Sequence, residues 1–171
     1  MKKMLTGILL ALVISNSLQA QTPYTAYADS VQPGSYILNG LISKYAIMNH
    51  AEYNWYKSNQ DAYSPAPEVL DVMEKAKGRF TFLVFGGTWC EDTHFIIPKF
   101  FKLQELSGIA DKDISFVGVT RAKKSLGNLS NIFNITNVPT IIVLKGGKET
   151  GRLVEYGSSG QWDKELAALL K

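Results

Sequence analysis

The chain has 171 residues, 46% of them hydrophobic and 19% charged, enough for one packed core and short of what two domains need. Its formal charge of +3 drops to +1 once Lys2 and Lys3 are set aside, so no global field draws it to nucleic acid. The single cysteine excludes an internal disulfide, which leaves a thiol either buried and inert or free for chemistry with another molecule.

Lys2 and Lys3 precede an apolar run from Met4 to Ile14 and then the polar stretch SNSLQA, the layout of a secretory signal with cleavage after Ala20. The run is shorter than the roughly 20 residues of a spanning helix; a retained anchor is the alternative. Residues 1–20 are therefore read as a signal peptide, 21–63 as a leader and helical extension, and 64–171 as the main domain. The mature chain is expected to be periplasmic or otherwise extracytoplasmic, without a membrane span, and monomeric.

From Gln21 to Pro33 the chain is polar and turn-rich, which predicts a loosely held leader. From Ile37 to about Ser58, Leu41, Tyr45, Met48 and Trp55 fall on one helical stripe, broken at Glu52, and predict a packed helix whose aromatic residues serve the core. The segment SPAPEVLDVMEKAKG opens with prolines and closes on Gly78, with Val69, Leu70, Met73 and Ala76 at helical spacing, so a short amphipathic helix is expected. Phe80 to Phe85 is a continuous apolar run bounded by Gly86 and Gly87, the pattern of a strand buried on both faces. From Glu91 to Leu106 an apolar stripe with acids in its first turn and Gly108 past its end predicts another helix. Ile114 to Val119 and Thr140 to Leu144 read as strands, with a short helical turn near Leu129 to Phe133 between them. Lys145-Gly-Gly-Lys148 predicts a hairpin completed by Arg152 to Tyr156, and Gln161 to Leu170 ends the chain as an amphipathic helix. This order predicts an α/β fold, a central mixed sheet flanked by helices.

Cys90 stands where the buried strand ends and the helix begins. The first N–H groups of a helix lack internal partners and its dipoles favour negative charge, so this place favours a thiolate. Thr93 can aim its hydroxyl at the sulfur, and Trp89 offers an amphipathic surface that shields it and meets a polypeptide. Glu91 and Asp92 oppose ionisation and are expected to tune the thiol without suppressing it. The competing reading, a small buried hydrophobe, is disfavoured by these polar neighbours. His50 and His94 lack metal-site spacing and Phe85-Gly-Gly-Thr lacks the lysine of a phosphate loop, so neither metal nor cofactor is expected. His94 is read as a surface histidine, the cluster Arg121, Lys123 and Lys124 as a solvated loop, and the two glycines as room for close passage beside the sulfur.

Three features together resemble the thioredoxin-like proteins: Trp89-Cys90-Glu91-Asp92-Thr93 between strand and helix, Pro98 eight residues after Cys90, and Asn137-Val138-Pro139-Thr140 at the start of a later strand. The resemblance covers about Ser64 to Lys171. The WCEDT variant with an added N-terminal helical segment is similar to exported thioredoxin-family proteins of Bacteroidetes-type bacteria. It implies a thioredoxin-like fold, a cis peptide bond before Pro139 lying against Cys90, and a Val138 turned outward so that its backbone pairs with an extended client. Two departures stand out. Thr93 replaces the second cysteine, and Val84 occupies a strand position where many dithiol members carry a buried acid.

The expectation is therefore a monothiol exchange protein in which Cys90 and Thr93 are catalytic and Trp89, Val138 and Pro139 hold the client. Its partners are client polypeptides with cysteines or disulfides, and an external thiol or partner reductase supplies the resolving sulfur. A binding or chaperone-like module that keeps the client groove without turnover is the alternative. A thiol peroxidase fits poorly, because related peroxidases place a threonine before the reactive cysteine.

Overall fold

The computed structural model describes residues 23–171; the signal peptide expected over residues 1–20 lies outside the described residues. Strands β1 (Tyr24–Ala28), β2 (Tyr36–Ile42), β3 (Thr81–Gly86), β4 (Ile114–Gly118), β5 (Thr140–Lys145) and β6 (Lys148–Val154) form one sheet in the order β1-β2-β4-β3-β5-β6. Only β3 and β4 run parallel; the other neighbours are antiparallel. The helices are α1 (Tyr45–Met48), α2 (Trp55–Asp61), α3 (Pro67–Ala76), α4 (Glu91–Ser107), α5 (Leu129–Ile132) and α6 (Trp162–Ala168).

The central strand β3 is buried on both faces, as its unbroken apolar run predicts. Successive side chains serve different cores: Phe82 and Val84 join the larger one with Met73, Phe100 and Leu166 of α3, α4 and α6, while Leu83 and Phe85 join a smaller one with Val119, Ile135 and Val138. Pro67 starts α3 where its missing N–H costs nothing, and Gly108 ends α4 in the left-handed conformation at φ 70°. Gly146 and Gly147, at φ 57° and 76°, make the tight turn from β5 to β6. The second hairpin strand begins at Lys148, earlier than the expected Arg152, and its pairing with β5 carries an irregularity between Val143 and Leu144.

The N-terminal segment departs from its sequence reading. The leader expected over 21–33 contains β1, and the helix expected from Ile37 is β2, with helix starting only at Tyr45. Leu41, Tyr45 and Met48, the expected buried stripe, are all exposed, while Ile37, Leu38, Ile42, Ile47, Tyr53 and Tyr56 are buried. The long helix is divided into α1, a 3₁₀ turn at Ala51–Tyr53, and α2. Ile37 and Leu38, adjacent in the chain, point to opposite faces of a strand, and both faces are covered here. Lys44 ties this segment to the end of α4, its ammonium donating to Gln104 at 3.0 Å and to Glu105 at 2.7 Å and lying 3.0 Å from Asp111. Packing of α2 along α4 completes the attachment.

Candidate active site

Strand β3 delivers the chain into a tight turn, closed by the Cys90 N–H donating to the Gly87 carbonyl at 2.9 Å, and Cys90 is the N-cap residue of α4. Its backbone is extended, at φ −102° and ψ 123°, and its carbonyl accepts the His94 N–H at 3.0 Å as the helix begins. The thiol is half-buried and donates to the Val138 carbonyl at 3.2 Å. The Val138–Pro139 peptide bond is cis. Two segments separated by nearly fifty residues thus meet at the sulfur.

The sequence-predicted residues gather around this contact in unequal roles. Trp89 is half-buried; its indole N–H donates to the Val119 carbonyl at 2.9 Å. A side chain at Gly87 would collide with that indole, so this glycine makes room for Trp89 and not for the sulfur. Thr93 is fully buried, and its hydroxyl oxygen accepts the Gly87 N–H at 3.2 Å, so its observed partner is the turn's backbone and not the thiol. Val138 is not turned outward: its side chain is in the smaller core and its carbonyl is engaged by Cys90. Pro139 is buried beside it, Glu91 is exposed, and Asp92 is half-buried near Tyr156. Val84 is fully buried within the larger core.

Thr88, and two residues whose sequence-based reading the structure changes, complete the surroundings. The buried Thr88 hydroxyl donates to the Tyr36 carbonyl at 2.8 Å and accepts the Leu38 N–H at 3.3 Å. The β2–β4 ladder ends at Gly40, and Thr88 takes over the next backbone groups of β2. His94 is not a surface histidine. Its ring stacks on Trp55 of α2 with centroids 4.1 Å apart, and Nε2 lies 2.7 Å from the Thr88 carbonyl, where it donates in the neutral ring. Burial lowers its pKa from the usual value, against smaller opposing effects of the Thr88 carbonyl and Glu91.

Arg121 is not a free loop cation either, being ion-paired and one-third exposed. Its Nε donates to Asp29 at 2.9 and 3.2 Å and its Nη2 at 2.6 Å, and its guanidinium lies 5.3 Å from the centre of the Trp89 ring. The Asp29 side chain is 1% exposed and also accepts the Val31 N–H at 2.9 Å. The available signal for this region was a pair of strand-like runs, YTAYA and YILNGLI, flanking the turn sequence QPGS. Among the described residues, no three His, Cys, Asp or Glu side chains come together as a metal site, and no helix is long and apolar enough to cross a membrane.

No family model matches the chain. Among curated proteins, it is similar to Thioredoxin-like protein CXXS2 of Arabidopsis thaliana, 26% identical over 137 residues that cover 80% of this chain and 74% of that protein. At that identity the chain is similar to a thioredoxin-like protein, and its mixed sheet flanked by helices is thioredoxin-like in fold. A solved structure of a Pseudomonas aeruginosa protein of unknown function shares the fold with a TM-score of 0.55 at 16% identity, over 75% of this chain and 90% of that one. Fasciola hepatica thioredoxin aligns with a TM-score of 0.40 at 23% identity, over 59% of this chain and 89% of that one. In this chain the N-terminal segment does more than extend the sheet: Thr88, His94 and Arg121 each bond or stack with it.

Proposed function

We propose that this thioredoxin-like protein is a monothiol thiol-disulfide exchange protein of the bacterial envelope, acting through Cys90. The observation that carries the reading is the half-exposed sulfur at the start of α4, set against the Val138 carbonyl. That carbonyl accepts from the thiol in the resting state and becomes available once the proton is lost. Export and a periplasmic location rest on the layout of residues 1–20.

In the reaction, the Cys90 thiol gives its proton to solvent and its thiolate attacks one sulfur of a client disulfide or of a client-bound small thiol. A sulfur–sulfur bond forms to Cys90, and the displaced sulfur leaves as a thiolate that takes a proton from water. Thr93 cannot resolve this mixed disulfide, so a thiolate from the client, a small thiol or a partner reductase attacks it and returns Cys90 to the reduced form. No net oxidant is consumed when the client supplies that second thiol, which suits isomerisation or adduct removal better than net reduction.

The test mixes the mature protein with a disulfide-linked reporter peptide and a low-molecular-weight thiol. Exchange is expected with the wild type and not with Cys90→Ser. Equal inertness of both across several thiols would end this reading, and client capture that persists in Cys90→Ser would favour a binding module instead.

A further inference from the structure

Arg121 is fixed by a two-pronged ion pair with Asp29. Asp29 occupies one edge of its guanidinium through Nε and Nη2, while Nη1 makes no hydrogen bond among the described residues. The arginine side chain is one-third exposed and its carboxylate partner is buried, which leaves Nη1 as the nitrogen outside the ion pair. Trp89, the residue before the reactive cysteine, lies under the guanidinium. The hydrogen-bonded Asp29 carboxylate raises the arginine's pKa above its usual value, so the guanidinium stays charged. On the helix side of the sulfur stand Glu91 and Asp92. A substrate approaching the thiol therefore has a fixed guanidinium beside Trp89 and two acids in the first turn of the helix.

We propose that Arg121, oriented by Asp29, determines the specificity of the exchange site by binding a carboxylate carried by the disulfide substrate, and so selects acidic substrates for attack by Cys90. The inference rests on the exchange function proposed above and adds its substrate class. A carboxylate beside the scissile disulfide accepts charge-assisted bonds from the free Nη1 of Arg121, while Glu91 and Asp92 disfavour its placement against the first turn of the helix. No bond to Arg121 forms or breaks in the reaction, and the exchange chemistry is unchanged.

Four reporters test this on the mature protein. One peptide cysteine is linked to a small thiol bearing a carboxylate (mercaptopropionate), a hydroxyl (mercaptoethanol) or an ammonium (cysteamine), and a fourth reporter pairs mercaptoethanol with an aspartate next to the peptide cysteine. Wild type is expected to prefer a carboxylate reporter over the hydroxyl reporter about tenfold in kcat/KM, mainly through KM, with the ammonium reporter poorest. Which of the two carboxylate reporters is favoured identifies the source as small thiol or client. The ratio should approach one in Arg121→Gln and in Asp29→Asn/Arg121→Gln, a pair that leaves no lone buried carboxylate, and be intermediate in Arg121→Lys. General damage to the fold lowers all reporters together and leaves the ratio standing. Equal rates for carboxylate and hydroxyl reporters in the wild type, or a ratio unmoved by both Arg121→Gln variants, overturn the proposal while leaving the exchange function intact. Inertness toward all four reporters, the neutral one included, overturns both.

Discussion

Thr88→Ala measures how firmly the N-terminal strands hold the turn that leads to Cys90. The substitution keeps the backbone and removes one hydroxyl that donates to the Tyr36 carbonyl at 2.8 Å and accepts the Leu38 N–H at 3.3 Å. Thr88 is 3% exposed, so water does not readily replace what is lost. The shorter bond contributes about 1 kcal/mol net, and leaving a buried backbone group unpaired costs about 1 to 3 kcal/mol. The longer bond adds less, so the expected total is about 2 to 3 kcal/mol. Urea unfolding followed by tryptophan fluorescence should show a lower midpoint at unchanged slope, because the same surface is exposed on unfolding. Thr88→Ser, which keeps the hydroxyl and loses a methyl group, should cost only about 1 kcal/mol. If Thr88→Ala stays within about 0.5 kcal/mol of the wild type, or Thr88→Ser costs as much as Thr88→Ala, the hydroxyl is not what joins β2 to the turn.

Three further outcomes are expected. Because burial lowers the His94 pKa below its usual 6.5, the unfolded chain takes up that proton first as pH falls. Stability should therefore decline from neutral pH down through the lowered folded-state value and then level off for this group, and the decline measured by urea titration should be smaller in His94→Gln. In Gly87→Ala the new methyl meets the Trp89 indole at 2.6 Å, which should cost about 1 to 3 kcal/mol and shift the tryptophan emission as the bond to Val119 loosens. Met73→Ala empties a fully buried position between α3 and α4, and a loss of about 2 to 5 kcal/mol is expected in chemical denaturation.

From α3 onward the elements were legible because each carries its own signal: a proline start and glycine stop, an unbroken apolar strand, a double-glycine turn. The place of Cys90 was legible for the same reason, since a buried strand followed by an acidic first turn fixes the N-cap between them. Strands β1 and β2 were not, because β1 is mostly exposed and shows no clear alternation, and the exposed Leu41, Tyr45 and Met48 imitate a helical stripe. Their hydrogen-bonded partners are distant in the chain: Thr88 lies 50 residues from Leu38, and Arg121 lies 92 from Asp29. Local periodicity carries no information about such pairings. The orientation of Thr93 was hidden for a related reason: spacing along a helix places a hydroxyl near the sulfur, but the neighbouring Gly87 amide competes for it.

The pairing of Thr88 with β2 has a consequence for transplantation. Moving the short loop Thr88 to Thr93 into another scaffold would carry Cys90 without the Tyr36 carbonyl and Leu38 amide that anchor the loop, the Trp55 ring beneath His94, or the Val138 oxygen that meets the thiol proton. The surroundings of the thiol are assembled from both halves of the chain, and no contiguous excerpt contains them.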